Sequence, residues 1–133
     1  MIARKIGSFG FGLYGASSYL KETPRPAFAF IAYDDSMDDA PQQKWLQTMA
    51  AGHEIVLRTN DLENQAAAAR TGVGLAVLPN FLGDPDPGLK RYDATPVPPN
   101  RDVWLLVHRD LRQAPLVRAV MEFLTDCVKA GAK

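Results

Sequence analysis

Cysteine occurs once, at Cys127, and histidine only twice, at His53 and His108, so the chain has no disulfide partner and no cluster of soft ligands for a metal. His53 falls in a polar turn and His108 at a strand end, and each reads as an isolated imidazole. Cys127 reads as a small buried hydrophobe. An excess of one charge is missing too: 15 Lys and Arg balance 15 Asp and Glu, and no basic block stands out. Phosphate binding draws on clustered Lys and Arg, so direct nucleic-acid contact by these residues is not expected. No G-x-S-x-G is present, which leaves Ser17 and Ser18 outside any nucleophile elbow and gives a hydrolase no support. Residues 1–20 alternate apolar residues with Gly and Ser and never reach the uninterrupted run of a signal core or a membrane span. The expectation is a soluble, cytoplasmic protein with no metal and no membrane partner.

What is present is apolar content of 47% over 133 residues, enough for one packed domain. Phe9, Phe11 and Leu13 recur at every second position within Ile6–Ala16, which predicts a strand weakened by its glycines. Ser17–Glu22 predicts a short helix ended by Pro24 and Pro26. The uninterrupted run Ala27–Tyr33 predicts a strand covered on both faces, broken by Asp34, Asp35 and Ser36. Pro41–Met49 predicts a helix with Trp45 and Met49 on one face.

Glu54–Arg58 then predicts a strand, and Asn60 a helix cap, with Glu63 placed to complete a capping box. Ala66–Ala69 give that helix high propensity, Gly72 ends it in the left-handed region, and Gly74–Leu78 follows as a buried strand stopped by Pro79. These segments form a β-α-β unit with parallel pairing and a right-handed crossover. Phe81–Asn100 is Pro-, Gly- and Asp-rich loop with a short strand around Leu89–Tyr92. Asp102–His108 alternates as a strand, and a last helix opens at Pro115 with Leu116, Val120, Phe123, Leu124 and Cys127 along one stripe and Gly131 at its end. Alternating strands and helices predict an α/β fold with an open, mostly parallel sheet flanked by helices.

In such sheets ligands sit beyond the carboxyl ends of the strands. Two ends qualify: Tyr33, Asp34, Asp35 and Ser36 after one strand, Thr59 and Asn60 after another. The plain alternative is that the first is only a turn and Asn60 only a cap. Gly10-Phe11-Gly12-Leu13-Tyr14-Gly15 also matches G-x-G-x-x-G, with Asp34 near the position of a ribose-binding acid, so a nucleotide-binding oxidoreductase fragment is the second reading. Against it, these glycines lie inside a strand-like segment and prolines cut the next helix to about two turns.

Three stretches resemble the regulatory domain of LysR-type transcription regulators. They are Ala68-Ala69-Arg70-Thr71-Gly72-Val73-Gly74-Leu75-Ala76-Val77-Leu78-Pro79; Val103–His108 with Asp110-Leu111-Arg112 and Pro115–Leu124; and, upstream, Arg4–Leu20 with its Tyr19-Leu20 pair. The resemblance implies a periplasmic-binding-protein-like (type 2) lobe from a two-lobed sensor that holds a small effector between its lobes. It implies a single partial effector-binding domain, with residues of about 10–107 as second lobe and about 1–9 and 108–133 as hinge and return segment toward the first. In the family the position just after the first of the two strands commonly contacts the effector. The winged helix-turn-helix and most of the first lobe are not recognisable here, so DNA would be bound through a region outside this chain. A homo-oligomer, dimer or tetramer, is implied for the parent protein, and self-association for the fragment. A solute-binding protein fragment is a third reading, disfavoured by the lack of an export signal.

Overall fold

A computed structural model describes residues 1–131 except Arg112, so that part of the expected Asp110–Arg112 segment lies outside the described residues. The chain forms two compact units, Phe11–Pro99 and Met1–Gly10 with the stretch from Asn100 onward.

The larger unit is a five-stranded sheet. Its strands are β2 (Phe11–Gly15), β3 (Phe30–Ala32), β4 (Ile55–Arg58), β5 (Leu75–Pro79) and β6 (Lys90–Tyr92), in the order β4-β3-β5-β2-β6. β3 runs parallel to both β4 and β5, while β2 is antiparallel to β5 and β6, so four strands point one way and β2 the other. Helices α1 (Ser17–Glu22), α2 (Pro41–Met49), α3 (Leu62–Arg70) and α4 (Asn80–Gly83) connect them. β5 is central, and Leu75, Ala76, Val77 and Leu78 are 0% exposed, as its uninterrupted apolar run requires. On one face Tyr14, Ile31, Ala76 and Leu78 pack against Ala66 and Ala69 of α3; the alanines let the helix lie close to the sheet. Gly72, at φ +83°, turns the chain out of α3.

The smaller unit is the antiparallel pair β1 (Ile2–Phe9) and β7 (Arg101–Val107) with α5 (Pro115–Gly131). α5 approaches β1 closely: a Cβ on Gly7 would lie 2.7 Å from Val128 Cγ1.

Several expectations need correction. The single strand over Ile6–Ala16 is two strands broken at Gly10, because β1 pairs with β7 while β2 pairs with β5 and β6. The strand expected over Ala27–Tyr33 keeps its burial from Phe28 on but is hydrogen-bonded as a strand only over Phe30–Ala32, since Arg25–Ala27 form a 3-10 turn. β4 and β5 run parallel but do not pair with each other, because β3 lies between them. On α5 the stripe Leu116, Val120, Phe123, Leu124 and Cys127 is exposed, and the half-buried face is Val117, Met121, Thr125 and Val128. Cys127 is therefore not a buried hydrophobe. The helix is apolar over a wide arc, and only one side of that arc meets β1.

Candidate functional site

The parallel strands β4, β3 and β5 end on one edge of the sheet, at Arg58, Ala32 and Pro79. A backbone leaving a sheet needs new hydrogen-bond partners. For Tyr33, 3% exposed, Gln43 of α2 supplies them: Tyr33 N donates to Gln43 Oε1 at 3.3 Å, and Gln43 Nε2 donates to Tyr33 O at 3.4 Å. Arg58 Nη1 donates to the same carbonyl at 3.2 Å.

Asp34 folds the next residues into a turn. Ser36 N and Oγ donate to Asp34 Oδ1 at 2.9 and 2.5 Å. Asn60, from the end of β4, reaches across: Asp34 N donates to Asn60 Oδ1 at 3.0 Å and Asn60 Nδ2 donates to Ser36 Oγ at 3.1 Å. One amide thus clamps two strand-end loops together. The Ser36 hydroxyl, the Asn60 amide and the Ser36 backbone N–H hold the Asp34 carboxyl below its ordinary value, so this exposed rim carries a charged carboxylate. Asp35 heads the adjoining 3-10 turn Asp35–Met37 and is exposed.

Thr59 is fixed from three sides. Its N–H donates to Ala32 O at 2.9 Å, its Oγ1 accepts from Asp61 N at 3.2 Å, and its carbonyl accepts from Gln65 Nε2 at 2.8 Å. Gln65 is 0% exposed, and its Oε1 has no hydrogen-bond partner among the described residues. Asn60 does not cap α3: Asp61 does, its carboxylate accepting from Glu63 N at 2.8 Å and Asn64 N at 3.3 Å. An aspartate one position on satisfies the same orphan donors and frees Asn60 to bridge to Asp34 and Ser36.

A second polar cluster sits where β5 ends. Tyr14 donates to Asp84 Oδ1 at 2.5 Å and lies 3.1 Å from Asn80 Oδ1, while Arg91 pairs with Asp84 and stands 5.8 Å from the Tyr14 ring centre. Burial, reinforced by the bond to Asp84, raises the Tyr14 pKa. Burial opposes ionisation of Asp84, but Arg91 and the Tyr14 hydroxyl outweigh it and hold that carboxyl below its usual range. Gly83 permits the contact, since a Cβ there would meet the Tyr14 ring at 2.3 Å. The cluster pins α4 and β6 onto β2.

Of the six residues expected at the strand ends, Asp34, Ser36 and Asn60 join in one hydrogen-bonded rim. Tyr33 and Thr59 adjoin it through the backbone, and Asp35 lies beside it on the turn. Gln43, Arg58, Asp61 and Gln65 were not singled out. Gln43 shares a helix face with Leu46 and Ala50, and Gln65 with Ala66 and Ala69, so their positions among apolar neighbours carried the signal. Gly12 and Gly15 lie within β2 and open no helix, and α1 has 6 residues, so the G-x-G-x-x-G match has no dinucleotide geometry. Among the described residues no helix is long and apolar enough to cross a membrane.

The sequence matches the LysR substrate binding domain over residues 3–128. A domain of this kind senses an effector for a transcription regulator and is not an enzyme class. The Mau operon transcriptional activator of Paracoccus denitrificans is 29% identical over 123 residues, covering 92% of this chain and 42% of that protein. Among solved structures, the full-length virulence activator AphB of Vibrio cholerae superposes with TM-score 0.65 at 18% identity, over 96% of this chain and 48% of that one. The effector domain of the transcriptional regulator AmpR of Pseudomonas aeruginosa gives 0.65 at 19% identity, over 98% and 65%. The CcmR regulatory domain of Synechocystis, solved in complex with 2-PG, gives 0.64 at 12% identity, over 96% and 67%. At such identities the structural likeness shows the fold. The chain spans less than half the length of the first two of these proteins.

Proposed function

Because the chain belongs to the LysR substrate binding domain family, we propose that it carries the ligand-sensing lobe of a cytoplasmic transcription regulator. Phe11–Pro99 form that lobe, and Met1–Gly10 with the stretch from Asn100 onward lead toward a first lobe. It works by binding a small molecule, without catalysis and without a cofactor. DNA contact belongs to residues beyond these 133, in keeping with the even charge balance. The parent protein acts as a homo-oligomer, dimer or tetramer, whose DNA grip shifts when effector stabilises one lobe arrangement.

The effector site is the strand-end rim of Tyr33, Asp34, Asp35, Ser36, Thr59 and Asn60. The observation that carries this reading is the Asn60 clamp, which ties the loops after β3 and β4 into one preorganised polar surface. Beneath it, the unpartnered Gln65 Oε1 beside Thr59 is an unmet acceptor of the kind that marks functional ground.

A thermal-shift screen of small non-aromatic acids, amines and sugars against the chain identifies a binder. Asn60→Ala, which removes two hydrogen bonds to the rim, then weakens that binder about tenfold, roughly one hydrogen bond's net worth. Unchanged affinity in both Asn60→Ala and Thr59→Ala, with folding intact, places the ligand elsewhere and removes this site.

A further inference from the structure

The sheet face opposite α3 holds a second opening. Strand alternation puts Leu13, Phe30, Leu75, Val77 and Tyr92 on this side, while Tyr14, Ile31, Ala76 and Leu78 face α3. Over it lies a cavity of about 320 Å³, bounded by Leu13, Phe28, Phe30, Met49, Tyr92 and Ala94, with Arg25, His53 and Thr95 as its polar lining. None of the strand-end residues Tyr33–Ser36, Thr59 or Asn60 lines it.

The aromatic side chains are already ordered edge to face. Phe28 and Tyr92 meet at 5.4 Å and 88°, and Phe30 and His53 at 5.3 Å and 79°. Such walls suit a flat ring, which gains dispersion and edge-to-face contact from them. The polar groups are few and directional. Arg25 donates through Nε to the Tyr92 hydroxyl and stands 5.2 Å from the Tyr92 ring centre; no carboxylate is paired with it among the described residues. That anchoring leaves the far nitrogens of the guanidinium to serve an anion, in a fork that matches a carboxylate. His53 Nδ1 lies 2.7 Å from Phe28 O, and because a carbonyl only accepts, the proton is on Nδ1. The ring is thereby fixed in orientation.

We propose that this cavity is a second small-molecule site, separate from the strand-end rim, which takes a single-ring aromatic carboxylate with its ring among Phe28, Phe30, Met49 and Tyr92 and its carboxylate on Arg25. The remaining lining decides against other classes. A sugar would bury hydroxyls against Leu13, Phe30 and Met49 without partners, and a doubly charged phosphate would meet one guanidinium with only His53 and Thr95 as further polar lining. The inference does not rest on the effector reading of the rim.

The test is titration of the whole chain with benzoate, followed by calorimetry and by amide chemical shifts. Saturable binding with shifts centred on Phe30, His53 and Tyr92 is expected, and benzyl alcohol (ring without charge) and acetate (charge without ring) bind at least tenfold more weakly. Arg25 is exposed, so Arg25→Gln folds normally and weakens benzoate at least tenfold; Met49→Phe, which narrows the cavity, does the same with the charge retained. Asn60→Ala leaves benzoate binding unchanged. Absence of saturable benzoate binding overturns the proposal, as does affinity indifferent to both Arg25→Gln and Met49→Phe. Loss of benzoate binding in Asn60→Ala, with shifts at Tyr33–Asn60, also overturns it and credits the ligand to the rim.

Discussion

The two units of this chain bury their apolar residues to opposite degrees. In the five-stranded unit, β5 and the residues it touches are sealed: Leu13 and Tyr14 are 1% exposed and Ile31 0%. In the β1–β7–α5 unit, Ile6 is the one fully buried apolar side chain among the described residues. Trp104 (54%) and Leu106 (64%) stand on the outer side of β7, and Leu116 (77%) and Phe123 (66%) on the outer side of α5. A two-stranded ribbon with one helix is too small to enclose a core, so many of its apolar side chains stay exposed. One unit encloses its own core; the other leaves large apolar side chains in the open.

Single substitutions test that contrast. The largest effect belongs to the sealed core: Leu78→Ala, at a site 0% exposed, costs about 2–5 kcal/mol in chemical denaturation. A loss near that of a surface substitution would mean that the five-stranded unit is not the seat of stability. Next, Gly83→Ala forces a Cβ into the Tyr14 ring and costs about 1–3 kcal/mol.

The pH dependence should also report on the larger unit. The Tyr14 pKa is raised above its ordinary 10.0, so the folded state keeps a proton that the unfolded state releases. Its contribution is whole below pH 10 and is lost as pH rises through the folded value; Tyr14→Phe flattens that alkaline slope at a cost of about 1 kcal/mol at neutral pH. Asp84 is depressed below 3.8, so its contribution is present above that pH and fades as pH falls through the folded value. Melting temperatures across the pH range check both slopes.

The smallest effect on stability, and the sharpest on association, belongs to the other unit. Phe123→Ser and Trp104→Ser change stability by no more than about 0.5 kcal/mol. They reduce the self-association that exposed apolar surface promotes, which light scattering against concentration reads directly. A clean monomer of the unaltered chain at high concentration would show that these faces are not association surfaces.

Local chemistry was legible in the sequence wherever it is settled by neighbours along the chain. Pro41 and Pro115 open their helices, and Gly72 takes the left-handed turn expected of it. Burial of Leu75–Leu78 followed from an uninterrupted apolar run. What stayed hidden depends on distant partners. The insertion of β3 between β4 and β5 is a matter of sheet order, which no local pattern encodes. Asn60 and Asp61 are both good caps, and the choice falls on Asp61 because Asn60 is engaged by Asp34 and Ser36 in a loop 24 to 26 residues away. The apolar arc of α5 is wide, and which side meets β1 is fixed by the close approach of Val128 to Gly7 on a distant strand, which the helix's own periodicity does not encode.

The most direct test follows backbone amide signals while the chain is saturated with the tightest binder from the thermal-shift screen. Movement of Asp34, Ser36, Thr59 and Asn60 together, with one saturation curve, is the outcome expected of loops joined by a single amide. A saturated complex in which those four signals stay still would contradict the strand-end site.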